Sequence, residues 1–378
     1  MINSKILFFS DCHLGMKSYS IYHSDGLTTA EKDCRNALNS IAQRVAQPDI
    51  DFAIFCGDFY HTNHPSSLNI EWTIEYLKNF PKSLYIIPGN HDIALHANSL
   101  IFSHRLDYPN ISLIDTDVCS LLWNDRCISL IPFTVSQSSK DKDESTREMF
   151  FSCVREQTNP KTIFVTHLNE SEASVGSEAK LISRYVSTVD MNDFSNLENS
   201  IFVFGHIHRH QLYKKKNGAT IVYPGSLLYH DYSDATQKKG FITIDTEGNI
   251  EFECTPNIRK FSKYSIPDNA DPLEFFNNIR IPKNNVIFCS VKNQDRVDDT
   301  ELRKVLSERG SLLGHIRYES DNEDVESPQM EDTTDKTPFI LFQEYTFLLL
   351  EKDEEGKKYF KDIISLGTRR IEECFQIN

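Results

Sequence analysis

The chain holds no apolar run approaching the roughly 18 residues that a membrane span requires. Its first residues, Met1-Ile2-Asn3-Ser4-Lys5, lead straight into a strand-like Ile6–Phe9. They lack the longer apolar core and small-residue cleavage site of a secretory signal, so a cytoplasmic protein is expected. There is no CxxC pair, and the nine cysteines, an odd number, are scattered singly, so in a reducing compartment plain buried thiols are expected. Cys56 and Cys289 sit in apolar runs, and Cys12 should point to the opposite side of the chain from Asp11 and His13. No GxxxxGK[ST] loop occurs, so the chain shows no ATP site of its own, and there are no internal repeats. Positive charge is not in excess either. The net charge is −15, which argues weakly against a nucleic-acid binder. Nearly half of that excess falls in Tyr318–Thr337, where eight acids face one lysine. Carboxylates that hold cations also inflate the count, so charge leaves the substrate open.

What is present is 378 residues of ordinary globular composition, enough for one large domain and one or two small ones. Over residues 1–258 short apolar strands alternate with amphipathic helices, the mark of an α/β layered domain. Strands are expected at Lys5–Phe9, Phe52–Cys56, Leu84–Ile87, Ser120–Trp123, Cys127–Ile131, Thr162–Val165, Ile201–Phe204 and Ala219–Tyr223. Helices are expected at Thr29–Gln47, with Cys34, Ala37, Leu38, Ile41 and Val45 inward, at Ser66–Phe80, with Leu68, Trp72, Tyr76 and Phe80 inward, and at Thr146–Gln157. Residues 259–318 read as a smaller strand-helix-strand-helix-strand unit. Residues 319–337 form an acidic linker, and 338–378 are too apolar for a free tail, which suggests a partner-docking segment.

Metal-ligand residue types recur just after the strands. Asp11 and His13 follow the first, Asp58 the second, Asn90, His91 and Asp92 the third, His167 a later one, and His206 and His208 another. Ligands in α/β sheets gather beyond the carboxyl ends of strands. Residues i and i+2 at a strand end share a side, so Asp11/His13 and His206/His208 can each point into one site. Two cations about 3.5–4 Å apart need a bridging group and hard or borderline donors around them. Carboxylate, amide and imidazole suit manganese well, with magnesium, zinc and iron as alternatives. Gly57, Gly89 and Gly205 precede the ligands and let the backbone turn sharply. Each piece alone is weak, but all five in order, each at a strand end, are specific.

The set Asp11-x-His13, Gly57-Asp58, Gly89-Asn90-His91-Asp92, His167 and Gly205-His206-x-His208 resembles the calcineurin-like metallophosphoesterases. The resemblance implies a two-layer β-sandwich flanked by helices. It implies one divalent ion on Asp11, His13 and His208, a second on Asn90, His167 and His206, and Asp58 between them. His91 would be the general acid toward the leaving oxygen, oriented by Asp92. The chain departs from the protein serine/threonine phosphatases, which carry GDxVDRG and GNHE. It is more similar to the nuclease subunits of SbcCD-type double-strand-break repair complexes, including phage recombination nucleases, through Asp11-x-His13-Leu14-Gly15, Gly57-Asp58-x-x-His61 and Tyr223-Pro224-Gly225-Ser226. That likeness implies a DNA substrate and a role for His61 in placing the scissile phosphate. It also implies a capping role for 259–318, an SMC-like ATPase partner for the C-terminal segment, and a homodimer within a heterotetramer. The basic residues Arg209, Lys214, Lys215 and Lys216 fit either a hold on a phosphate backbone or a solvated hairpin turn. Two rival readings are a small-molecule or nucleotide phosphodiesterase and a non-catalytic scaffold that kept the fold.

Overall fold

The computed structural model describes residues 4–94, 97–98, 108–134, 144–175, 188–268, 270–292 and 299–319. Two six-stranded sheets dominate it. From edge to edge one runs Ile250–Cys254, Gly240–Asp245, Lys5–Phe9, Ile50–Cys56, Leu84–Ile87, Ile111–Leu113. The other runs Gln211–Lys214, Thr220–Tyr223, Ile201–Phe204, Thr162–Thr166, Arg126–Leu130, Cys119–Trp123.

Side-chain alternation builds three apolar layers from these strands. Ile6, Phe8, Ile54 and Ile87 of the first sheet pack against Ile128, Ile163, Val165, Val203 and Val222 of the second. The alternate residues Leu7, Phe9 and Phe55 face the opposite way, toward Cys34, Leu38, Ile41, Tyr76 and Leu77. Phe164, Phe202 and Phe204 likewise leave the second sheet on its outer side, against Phe150 and Val154 of helix Glu144–Glu156. Both faces of each central strand are thus buried, which is why these segments read as continuous apolar runs. The fold is the α/β sandwich with flanking helices that the sequence called for.

Helix Thr29–Val45 starts on a capping box, in which the Thr28 side chain accepts from Glu31 N–H and the Glu31 carboxylate accepts from Thr28 N–H. Its expected inward face is buried throughout. Helix Ser67–Lys78 turns differently from expectation. Leu68 is exposed and Trp72 half-buried, while Asn69, Thr73, Tyr76 and Leu77 are buried. The cause is polar. Asn69 Nδ2 donates to Glu31 Oε1 at 2.8 Å and its Oδ1 accepts from Arg35 at 2.8 Å, which rotates the helix about this pair. Strands Ile111–Leu113, Gln211–Lys214, Gly240–Asp245 and Ile250–Cys254 were not among the expected ones.

Strands Lys260–Ile266, Asn285–Lys292 and Leu312–Glu319 form an all-parallel three-stranded sheet, with helices Pro272–Asn278 and Thr300–Glu308 in the crossovers. One face has its own core of Ile266, Phe276, Ile287, Leu302 and Leu306. The other presents Phe261 and Phe288 to Tyr19, Tyr229 and Tyr232. The acidic linker and the apolar C-terminal segment lie outside the described residues. Among the described residues no helix is long and apolar enough to cross a membrane.

Candidate metal centre

Strands Lys5–Phe9, Ile50–Cys56 and Leu84–Ile87 run parallel in one sheet, and Thr162–Thr166 and Ile201–Phe204 run parallel in the other. Their carboxyl ends meet at one edge of the sandwich. Main-chain bonds fasten the loops there. Asp11 N–H donates to Gly57 O at 3.0 Å, Cys12 N–H to Asp58 O at 3.0 Å, and Gly205 N–H to Thr166 O at 2.9 Å.

The backbone is forced at the residues that matter. Asp11, His13, Asp58 and His206 have φ of 51°, 46°, 61° and 87°, in the left-handed region that ordinary side chains avoid. Such conformations persist where the surroundings over-determine them, and they gather at functional sites. Of the three expected turn glycines, only Gly57 needs its freedom for conformation, at φ 98°. Gly89 and Gly205 are required for space. A Cβ at Gly89 would run into the Asp58 carboxylate, and one at Gly205 into Cys56 O and the His167 ring.

Seven residues converge. His13 Nε2 and His208 Nε2 face each other at 3.1 Å. Asn90 Oδ1 lies 3.1 Å from His167 Nε2 and 3.0 Å from His206 Nδ1. Asp58 Oδ2 lies between the groups, 3.3 Å from His167 Nε2 and 3.7 Å from His13 Nε2. Asp11 joins His13 and Asp58 in one cluster of donor atoms. Donors that share an ion at about 2.0–2.2 Å and right angles sit about 3 Å from each other, so this spacing fits bound cations. The orientation of a third imidazole agrees with that fit. His167 Nδ1 lies 2.8 Å from Cys56 O, and since a carbonyl only accepts, Nδ1 carries a proton and Nε2 is the atom turned to Asp58 and Asn90, where its lone pair would be given to a bound cation.

Electrostatics follow from burial. Burial, then the neighbouring imidazoles, pushes His13 well below its ordinary range, and His206 falls likewise. Burial alone would raise Asp58, yet the adjacent His167 and His91 carry it below the usual carboxylate range. Burial also opposes charge on His167, but Asp58 beside it lifts that imidazole to about 9. Burial raises Asp11, against the pull of His167 and His208. Cys12 is buried among apolar side chains with its thiol pushed up by burial, so it offers no thiolate here.

His91 stands beside the cluster, its ring 4.8 Å from that of His13, and its main-chain N–H donates to Asp58 Oδ1 at 2.9 Å. His61 stacks on it at 5.7 Å. The expected orienting role of Asp92 is corrected by the geometry. Asp92 is fully buried and accepts from the main-chain N–H groups of Gly89, Phe59 and Tyr60 at 3.0–3.2 Å. It ties the Asp58 loop to the Asn90 loop, while the His91 ring is held by the carbonyl of His61.

The basic run divides. Arg209 follows the last ligand and lines a cavity of about 390 Å³ with His210, Ser233 and Lys238. Lys214 pairs with Thr220, which pairs with Ile201, so Lys214–Lys216 lie at the end of the sheet opposite the ligands. Lys215 is buried on Glu170 at 2.7 Å and Glu172 at 2.8 Å. It is a structural cation, not a contact for substrate.

Two groups escaped the sequence reading. Lys239 is fully buried, 2.8 Å from Asp234 and 3.0 Å from both His208 O and Ser226 Oγ. His230 packs its ring 4.5 Å from that of His208 and 4.8 Å from that of His13. The available signal was Tyr223-Pro224-Gly225-Ser226. Ser226 bridges Ser10 beside Asp11, which carries the following residues into the site.

The profile of the calcineurin-like phosphoesterases matches residues 4–210. A nuclease SbcCD subunit of Staphylococcus epidermidis is 30% identical over 261 residues, 65% of this chain and 67% of that protein. The DNA double-strand break repair protein Mre11 of Archaeoglobus fulgidus is 25% identical over 381 residues, 92% of this chain and 80% of that protein. Among solved structures, purple acid phosphatase PPD1 from yellow lupin seeds superposes with a TM-score of 0.47 at 14% identity, over 67% of this chain and 52% of that one.

Proposed function

Because this chain belongs to the calcineurin-like phosphoesterase family, we propose that it is a two-metal DNA nuclease subunit acting at DNA ends in repair or recombination. The observation that carries this is the convergence of Asp58, Asn90, His13, His167, His206 and His208 donors at 3.0–3.7 Å at one sandwich edge. Asp11, His13 and His208 would hold one divalent cation, and Asn90, His167 and His206 the other, with Asp58 between them. Manganese suits this mixed oxygen and imidazole set, with magnesium as the alternative. When bound, the two cations supply Lewis-acid stabilisation of the phosphate and a lowered pKa for water.

The chain's own groups do the rest. His91 keeps a proton on Nδ1 against His61 O, so Nε2 is the position that delivers a proton to the leaving oxygen. His61, stacked on His91, flanks the same space and would help place the scissile phosphate. Asp92 acts at one remove, by fixing the loops that carry Asp58 and His91.

DNA as substrate, and an SMC-like ATPase as partner, are supported by the relatives named for SbcCD and Mre11. Residues 338–378 would dock on that ATPase, with 259–318 as the capping domain and a homodimer within the assembly. The test is hydrolysis with manganese, offering linear double-stranded DNA, a generic phosphodiester and a phosphomonoester, with Asp58→Ala as control. DNA degradation that the control loses is the expected result. Small esters cleaved while DNA stays intact, even with a cognate ATPase added, would instead make this a small-molecule phosphodiesterase.

A further inference from the structure

We propose that His230 is an additional imidazole ligand for the cation that His13 and His208 would share. This rests on the two-metal reading above. His230 is 7% exposed, and its Nε2 is buried without a hydrogen-bond partner. Such an atom is costly whether it carries a proton or a lone pair, unless something in the site engages it. A core histidine would find a carbonyl or hydroxyl. His230 instead packs among imidazoles, and its donor atom lies with those of His13 and His208 in a cluster no wider than 4.8 Å.

The backbone around it is also built to hold position. His230 N–H donates to Asp234 Oδ2 at 2.8 Å. The other oxygen of Asp234 pairs with the buried Lys239 Nζ at 2.8 Å, and Lys239 in turn reaches His208 O at 3.0 Å. One buried ion pair therefore registers the main chains of His208 and His230 against each other. That device has no evident purpose for a histidine that merely fills space.

The experiment titrates the metal-free full chain with Mn²⁺ by calorimetry and with Co²⁺ by visible absorption. Wild type is compared with His230→Ala and His230→Gln, and an Asn90→Ala variant reports on the other ion. Two ions should bind wild type. Each His230 variant should lose about tenfold or more in affinity for one ion, the order seen when a supporting group of a metal site is removed. The Co²⁺ band of that ion should shift, and the ion weakened by Asn90→Ala should be unaffected. Melting of the metal-free proteins identifies a variant that fails to fold, and the glutamine variant is then the one read. Folded variants that bind both ions as tightly as wild type, with an unchanged Co²⁺ spectrum, overturn the role of His230 alone. A wild type that binds fewer than two ions overturns the two-metal reading as well.

Discussion

The Nδ1 atom of His91 lies 2.8 Å from the main-chain oxygen of His61. A carbonyl oxygen cannot donate, so this contact fixes the tautomer and leaves Nε2 as the position that exchanges a proton. The same residue ties back to the centre, because its main-chain N–H donates to Asp58 Oδ1 at 2.9 Å. The proposed proton donor and the proposed bridging carboxylate are therefore joined through the His91 main chain.

His91→Gln should lower turnover by about 10²–10⁴-fold, the usual worth of a positioned acid or base. The number of Mn²⁺ ions bound should not change, since the His91 ring is not among the proposed ligands. His61→Ala should cost less, because the contact to Nδ1 comes from its backbone and survives the substitution. Steady-state rates and metal content measured on the same samples check both points. Undiminished hydrolysis by His91→Gln would remove it as the acid.

Gly205→Ala should abolish the centre without unfolding the chain. A Cβ there would run into Cys56 O and the His167 ring, so the loop bearing His206 must move. Misplacing ligands by a fraction of an ångström should reduce both Mn²⁺ affinity and turnover, while the buried sheets keep most of the melting temperature. Calorimetric binding and a thermal melt decide it, and full metal affinity in the variant would contradict the close packing.

These predictions rest on features that were unequally visible in the sequence. The proposed ligands were legible as candidates because each follows a strand whose apolar run is continuous, buried on both sides as Ile6–Phe9 and Ile201–Phe204 are. The strand Gly240–Asp245 was missed although it is buried throughout, since its Thr243 and Asp245 break the apolar pattern. The rotation of helix Ser67–Lys78 came from Asn69 meeting Glu31 38 positions away. Lys215 read as a surface cation because its partner Glu170 lies 45 positions off. His230 was passed over for the same reason. Its neighbours His13 and His208 are distant in sequence, and periodicity carries no information about such meetings.

Acid should remove a defined part of the stability of helix Thr29–Val45. Burial works against charge on Glu31, but donors from Thr28 N–H, the Asn69 amide and the Thr28 hydroxyl hold its pKa below the ordinary value. A carboxylate lowered in the folded state stabilises fully above the unfolded pKa of about 4.3, and that share is lost as pH falls through the lower folded value. Glu31→Gln should therefore melt lower than wild type at neutral pH, and the gap should close as pH falls below the carboxylate range. A gap of equal size at both ends would mean that packing, not charge, is what Glu31 supplies.

Lys215→Met should destabilise the fold and spare the chemistry. Lys215 and Glu170 are both buried and 2.7 Å apart, and Tyr213 Oη donates to the same carboxylate at 2.7 Å. Removing one partner of a buried pair costs about 3–5 kcal/mol, because the other charge is left without compensation. Glu170→Gln should recover part of that loss in the double variant, since an amide needs no counter-charge. Lys214→Ala and Lys216→Ala should leave DNA hydrolysis and its salt dependence unchanged, because both residues lie at the sheet end remote from the ligands. Arg209→Ala should raise KM for DNA more than for a small phosphodiester, since Arg209 alone of the basic run borders the cavity beside the last ligand. Denaturant melts and paired KM values separate the effects, and a rise in KM on losing Lys214 and Lys216 would mean that DNA reaches the far end of the sheet.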